Sequence, residues 1–283
     1  MKEEIPTLSR GLRAVAKYIV DHPSDFGLDP IRETARKASV STYTIVRLAE
    51  RFGFSGYDEM REPFRQALVS ASVSTEKPAW IESLRETGEL GAVQADASLS
   101  SMANVERSLE AQNPEQLDRV VSLLLDAPNV YLTAARASYG IAYYLHYVGR
   151  MALPSLHLIP RHMNSPIDDL ESASVGDAMI AITATPYSRE TIEACTFARS
   201  KGLKLIMISD SEIVSPEVRA DETLTASMLS TYHFGCYAGV MALVETLIAL
   251  LVARGGEAAK ERIRSYEQLR SESHAYWEAR KKR

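Results

Sequence analysis

Five short apolar runs, at 130–133, 155–159, 178–182, 203–208 and 222–225, alternate with helical patterns through the second half of the chain. Runs such as Ala178-Met179-Ile180-Ala181-Ile182 are apolar on both faces of a strand, so both faces must be covered. A parallel sheet with helices packed on either side satisfies that demand, and helical spacing fits at 139–151, 166–173, 189–201, near 216–220 and, as one long apolar segment, at 232–254. The second half is expected to be α/β, a five-stranded parallel sheet flanked by helices.

The first half carries no such runs and reads as all-α. Leu8, Leu12, Val15, Ala16 and Ile19 fall at helical spacing before Asp21-His22-Pro23. Residues 25–30 read as a connection with Phe26 inserted into the core. A helix over 31–38 with small Ala35 and Ala38 then meets a second over 42–52 at the corner Ser39-Val40-Ser41. The second helix sets Ile45, Leu48, Ala49 and Phe52 on one side and Thr42, Tyr43, Val46 and Arg47 on the other. Ser41 is placed to cap it. This is the layout of a helix-turn-helix, whose second helix offers its N-terminal residues to the major groove. Glycine is common at such a turn, and here Ser39 occupies it. The net charge is −5, yet residues 32–51 hold five cations (Arg32, Arg36, Lys37, Arg47, Arg51) against two anions (Glu33, Glu50). A local field of that sign suits nucleic acid. The candidate DNA contacts are Ser41, Thr42, Tyr43, Arg47, Arg36 and Lys37. A plain helical corner in a small bundle is the alternative.

Gly53 is suited to end the second helix, and another helical pattern follows at 58–69. Residues 70–77 are small and polar, the composition of a linker. The expected domains are 1–70 (helix-turn-helix), 71–112 (linker and bridging helix), 113–255 (the α/β unit) and 256–283 (a basic helix and tail ending Arg280-Lys281-Lys282-Arg283). Glu245 interrupts the most apolar stretch, 237–252, and the first nine residues lack the apolar centre of a signal peptide, so no membrane contact and a cytoplasmic location are expected. Cys195 and Cys236 lie in separate helical patterns without a His or Cys at ligand spacing. Reduced thiols, no metal and no cofactor follow.

Open parallel sheets bind ligands beyond the carboxyl ends of their strands. Three loops qualify: Thr133-Ala134-Ala135-Arg136-Ala137-Ser138, Thr183-Ala184-Thr185-Pro186-Tyr187-Ser188 and Ser209-Asp210-Ser211. Each leads hydroxyls into a helix or turn where backbone N–H groups favour an anion. Capping by Ser188, with Glu190 in the first turn, would account for Ser188 alone. It does not require Thr183 and Thr185.

Both halves together resemble the MurR/RpiR family of bacterial transcription regulators. The carriers in the first half are Ala38-Ser39-Val40-Ser41-Thr42-Tyr43-Thr44-Ile45-Val46-Arg47-Leu48 and Phe52-Gly53-Phe54-Ser55-Gly56-Tyr57. In the second half they are Ile182-Thr183-Ala184-Thr185-Pro186-Tyr187-Ser188-Arg189-Glu190-Thr191, Ala198-Arg199-Ser200-Lys201-Gly202 and Ile208-Ser209-Asp210-Ser211. The resemblance implies an N-terminal helix-turn-helix and a C-terminal sugar isomerase (SIS) domain that binds phosphosugars through hydroxyl-rich loops. Ser138, Thr183, Thr185 and Ser188 are the matching positions, and with Arg136 and Tyr187 they form the candidate ligand set. The chain departs from the family where its first loop has Ala134-Ala135-Arg136 instead of glycines and its second has Thr185-Pro186 instead of Ser-Gly. Pro186 lacks an N–H that could hold a phosphate.

An isomerase on this fold needs a positioned base. His146, His157, His162 and His233 have no sequence partner that marks them as one, so no catalytic residue is assigned. The expected protein is a transcription regulator, taken as a repressor, that binds double-stranded operator DNA as a dimer or tetramer and senses a small anionic metabolite, a phosphosugar or related catabolic intermediate. The rival is a sugar-phosphate isomerase or a metabolite-binding enzyme regulator.

Overall fold

The computed structural model describes residues 2–71, 78–162, 164–230 and 234–277, and divides into two compact units, Met1–Ala95 and Asp96–Arg283. The first unit opens with a short 3-10 helix, Lys2–Thr7, followed by α1 (Arg10–Asp21), α2 (Pro23–Leu28), α3 (Ile31–Lys37), α4 (Thr42–Arg51), α5 (Tyr57–Ala71) and α6 (Ala79–Arg85). The next helix, α7 (Glu89–Glu110), contains the division between the units. Most of the segment expected as a linker lies outside the described residues.

The core of the first unit is the apolar underside of its helices. Val15, Ala16 and Ile19 of α1 and Ile45, Leu48 and Ala49 of α4 are buried. Residues 25–30, expected as a connection, instead begin inside a helix. Pro23 takes the first position of α2, where its missing N–H costs nothing, and Phe26 is fully buried with its ring edge-on to Tyr57 and Phe64 at 5.4 and 5.0 Å. Buried Thr34 hydrogen-bonds the Tyr57 hydroxyl at 2.8 Å, and Tyr57 donates to the Asp29 carbonyl at 2.8 Å, tying α3 to α5.

The second unit continues with α8 (Pro114–Asp126), β1 (Val130–Ala134), α9 (Ala137–Gly149), β2 (Leu156–Ile159), α10 (Pro166–Leu170), β3 (Ala178–Ile182), α11 (Arg189–Ser200), β4 (Lys204–Ser209), β5 (Glu222–Thr225), α12 (Ala238–Arg254) and α13 (Gly256–Glu272). All strand pairs are parallel and the order is β2-β1-β3-β4-β5. Alternation within each strand builds two cores. Val130, Leu132, Ile180, Ile182, Ile206 and Ile208 pack with α8, α9 and α12, while Tyr131, Met179, Ala181, Leu205 and Met207 pack with α11 and the end of α10. Residues 216–220 form a turn closed by a bridge between Ser215 and Val218 rather than a helix. The long apolar helix begins at Ala238, so Cys236 precedes it, while His233 and the last four basic residues lie outside the described residues.

A polar clamp fixes the C-terminal half of α7 to the segment after β5. Asn104 Oδ1 accepts from the Leu229 N–H (2.9 Å) and the Ser227 hydroxyl (2.7 Å), and its Nδ2 donates to the Leu229 carbonyl at 2.6 Å. Ser108 Oγ accepts from the Ser227 N–H at 2.8 Å. Both side chains are buried, and α12 closes over them at Gly239, where a Cβ would stand 2.2 Å from Ser108 Oγ and 2.6 Å from the Ser227 carbonyl oxygen. Among the described residues no single helix is long and apolar enough to cross a membrane.

Candidate functional site

The helix pair expected from the sequence is α3 and α4, joined by Ala38–Ser41. Val40 N–H donates to the Ala35 carbonyl (2.9 Å) and Ser39 N–H to that of Arg36 (3.2 Å), the bond pattern that ends a helix through one left-handed residue, and Ser39 is that residue, with φ 53°. Ser41 then caps α4: its Oγ accepts from the Thr44 N–H at 3.2 Å and hydrogen-bonds the Thr44 hydroxyl at 2.9 Å. With Ile45, Leu48 and Ala49 turned inward, Thr42, Tyr43 and Arg47 are exposed, Tyr43 by 69%. Tyr43 and Arg47 are one turn apart and share a face.

The cations around the motif are not equally available. Arg36 is bound to Glu33 and Arg51 stands 3.8 Å from Glu4. Lys37 Nζ lies 2.8 Å from Asp25 and 2.9 Å from Asp29, contacts that push its pKa up. Hydrogen bonding to Arg36 holds Glu33 below the usual carboxylate range. Arg32 and Arg47 make no ion pair among the described residues. The local excess of charge that the sequence showed is thus largely neutralised at Arg36 and Lys37 and remains at Arg32 and Arg47; the carboxylates of Asp25 and Asp29 that hold Lys37 were not legible without the fold.

In the second unit the strand order reverses direction at β1, whose neighbours are β2 on one side and β3 on the other. A crevice beyond the carboxyl ends of β1 and β3 is where such sheets take ligands. The loops there are Ala135-Arg136 before α9 and Thr183–Ser188 before α11. Arg136 has φ 54° and ψ −131°, a backbone conformation that side chains rarely adopt, and its exposed guanidinium makes no hydrogen bond or ion pair among the described residues. Ser138 is buried, 3.3 Å from the Tyr237 hydroxyl at the start of α12. Thr183 is buried and Thr185 exposed, and among the described residues the hydroxyl of neither is engaged in a hydrogen bond.

Ser188 stands at the N-cap of α11 but its side chain does not cap, so the capping alternative does not account for it. Tyr187 is half-buried between these groups in sequence, packed against the α10–α11 side of the sheet. The third loop takes part in a way the sequence did not show: the Asp210 carboxylate accepts from the Thr185 N–H at 3.2 and 3.3 Å and from the Ser209 hydroxyl at 3.2 Å.

The other features lie apart from these loops. A cavity of about 230 Å³ is lined by Asn129, Tyr131, His157, Ile159, Arg161 and Ser172, and one of about 320 Å³ by residues of α13 and its C-terminal turn. His157 is in mid-strand on β2, and His146 is on α9, where burial lowers its pKa. Burial pushes the Cys195 thiol up to about 12, the state of a packed and unreactive side chain. Among the described residues no group of His, Cys, Asp and Glu could hold a metal.

The profile described as "Helix-turn-helix domain, rpiR family" matches residues 4–71, and that described as "SIS domain" matches residues 123–253. Among similar proteins, the HTH-type transcriptional regulator HexR of Pseudomonas aeruginosa is 25% identical over 221 residues, covering 78% of this chain and 74% of that one. The HTH-type transcriptional regulator YfhH of Escherichia coli is 24% identical over 278 residues, covering 95% and 96%. The fold is shared with the Vibrio vulnificus NanR protein, solved in complex with ManNAc-6P (TM-score 0.57, 20% identity, 95% of this chain and 96% of that one). It is also shared with the sugar isomerase domain of an RpiR transcription factor from Sphaerobacter thermophilus (TM-score 0.56, 24% identity, 61% and 96%). The chain belongs to the RpiR family of transcriptional regulators, with a DNA-binding helix-turn-helix domain in its first unit and a SIS domain in its second.

Proposed function

We propose that the protein reads operator DNA through Thr42, Tyr43 and Arg47 on α4, and that a small hydroxylated anion seated at the tips of β1 and β3 controls this reading. The observation that carries the DNA half is the pairing of Tyr43 and Arg47 on an exposed face whose arginine is committed to no carboxylate among the described residues. Ser41 acts by holding the start of the helix. Arg36 and Lys37 contribute less, because contact with phosphate has to displace an existing ion pair. Palindromic operators need paired readers, so the working species is at least a dimer in the cytoplasm, joined through the SIS domains.

The sensing half rests on four groups gathered at neighbouring strand ends, the Arg136 guanidinium and the hydroxyls of Thr183, Thr185 and Ser188, together with Ser138. A ligand that binds them better in one arrangement of the protomers than in the other shifts the population of DNA-competent dimers. A sugar derivative with an acidic group, a phosphosugar or a related sugar acid, suits hydroxyls flanked by one cation. Sensing rather than turnover is the reading, since the relatives are named as regulators and these loops bring no histidine to the ligand.

The test is fluorescence anisotropy on the chain's own upstream region at two salt concentrations. Arg47→Ala should weaken binding by roughly tenfold to a hundredfold and flatten the salt dependence, with the melting temperature unchanged. Undiminished affinity would remove α4 from the groove. Turnover of sugar phosphates without DNA affinity would favour the isomerase reading instead.

A further inference from the structure

The residues over the sheet edge form a row whose two ends carry opposite charge. Ala134, Ile182 and Ile208 are partners in register across β1, β3 and β4. Two residues further on stand Arg136, Ala184 and Asp210, so the guanidinium and the carboxylate belong to positions about two strand spacings apart, on the order of 10 Å. Thr183 and Thr185 lie between them. The central loop is also poor in donors for a phosphate: Pro186 has no N–H, and the Thr185 N–H is already given to Asp210. A phosphate placed against Thr185 and Ser188 would sit within a few ångströms of that carboxylate. At the effective dielectric of a protein surface, a carboxylate even about 10 Å away lowers affinity by roughly tenfold for each additional negative charge, and a closer one lowers it more.

We infer that Asp210 determines the specificity of this site, and that its ligand is a monoanionic polyhydroxy acid of the aldonate or uronate kind, with the carboxylate at Arg136 and hydroxyl donors at Asp210, rather than a phosphosugar. The inference rests on the sensor site proposed above and narrows it to one ligand class. Carboxylate acceptors bind hydroxyl donors with charge-assisted hydrogen bonds, so Asp210 favours the polyol end that it would repel were it phosphorylated.

The experiment is isothermal titration of the full chain with gluconate, galacturonate, glucose 6-phosphate and inorganic phosphate, repeated on Asp210→Asn, Arg136→Ala and Ser188→Ala. Asparagine keeps an acceptor for the Thr185 N–H and removes the charge, and a thermal melt confirms that each variant is folded. The expected result is that the wild type binds at least one of the acids at millimolar concentration or below and more tightly than either phosphate compound. Asp210→Asn should lower the ratio of phosphosugar to acid dissociation constants by roughly tenfold or more, and Arg136→Ala should weaken the acid. A wild type that prefers glucose 6-phosphate and needs Arg136 and Ser188 for it overturns the ligand class and leaves the site standing. Binding that ignores both Arg136 and Ser188 overturns the site, and the inference with it. Failure of both acids to bind overturns the inference as well.

Discussion

Two turns in this molecule place a non-glycine residue at positive φ just before a functional helix, and they do so for different reasons. Ser39, with φ 53°, ends α3 by the same pair of backbone hydrogen bonds that Gly53 and Gly202 make at the ends of α4 and α11. Its left-handed conformation is accounted for by helix termination alone. Arg136, with φ 54° and ψ −131°, ends no helix; it joins β1 to α9, and an arginine side chain cannot cap the helix it precedes. Strain with a local structural purpose says little about function. Strain without one, beside the proposed ligand site, points to the side chain as the thing being kept.

That contrast can be broken most forcefully at Arg136. Arg136→Gly should raise the unfolding free energy by about 1–3 kcal/mol, the strain of such a conformation, while removing the response of DNA binding to any effector. Denaturant unfolding read beside anisotropy checks both. A loss of stability would mean that Arg136 is held by contacts that offset its strain. Next in size is Ser41→Ala, which should cost about 1 kcal/mol because it leaves the Thr44 N–H without its cap, whereas Ser188→Ala should stay within about 0.5 kcal/mol of the parent. Equal losses at the two serines would show that Ser188 caps in solution.

Ser39→Gly is expected to gain about 0.5–1 kcal/mol, with DNA affinity unchanged. Acidification should leave that gain in place, because no titrating group forms the turn. The acid limb belongs in part to Glu222, held below the usual carboxylate range by the Arg119 guanidinium at 2.6 Å and further by Gln116. A carboxylate depressed in the folded state contributes stability above its unfolded pKa and loses it as pH falls through the folded value. Arg119 is more than half exposed, so Arg119→Ala should flatten this limb only slightly.

What the sequence revealed follows the range over which each feature is determined. The start of α4, its inward residues and the capping by Ser41 depend on neighbours within one or two turns, and all were readable. So were the five strands, to within a residue or two at their ends, because strands covered on both faces must be apolar throughout. The segment holding α2 was read as a connection because Pro23 and Gly27 look like punctuation, although Pro23 at a first helical position starts a helix. The strand order, and with it the place where the proposed ligand loops meet, depends on crossovers that no local pattern encodes. The same limit hid the hydrogen bond between Thr185 and Asp210, 25 residues apart, and the commitment of Lys37 to Asp25 and Asp29.

The contact at Gly239 carries a last consequence, for divergence. In chains descended from this one, position 239 tolerates no substituent larger than hydrogen while Ser108 and the Ser227 carbonyl remain where they are. A lineage that replaces this glycine must first re-seat a helix whose two buried amide and hydroxyl groups would then be stripped of their partners. Drift is halted there by geometry.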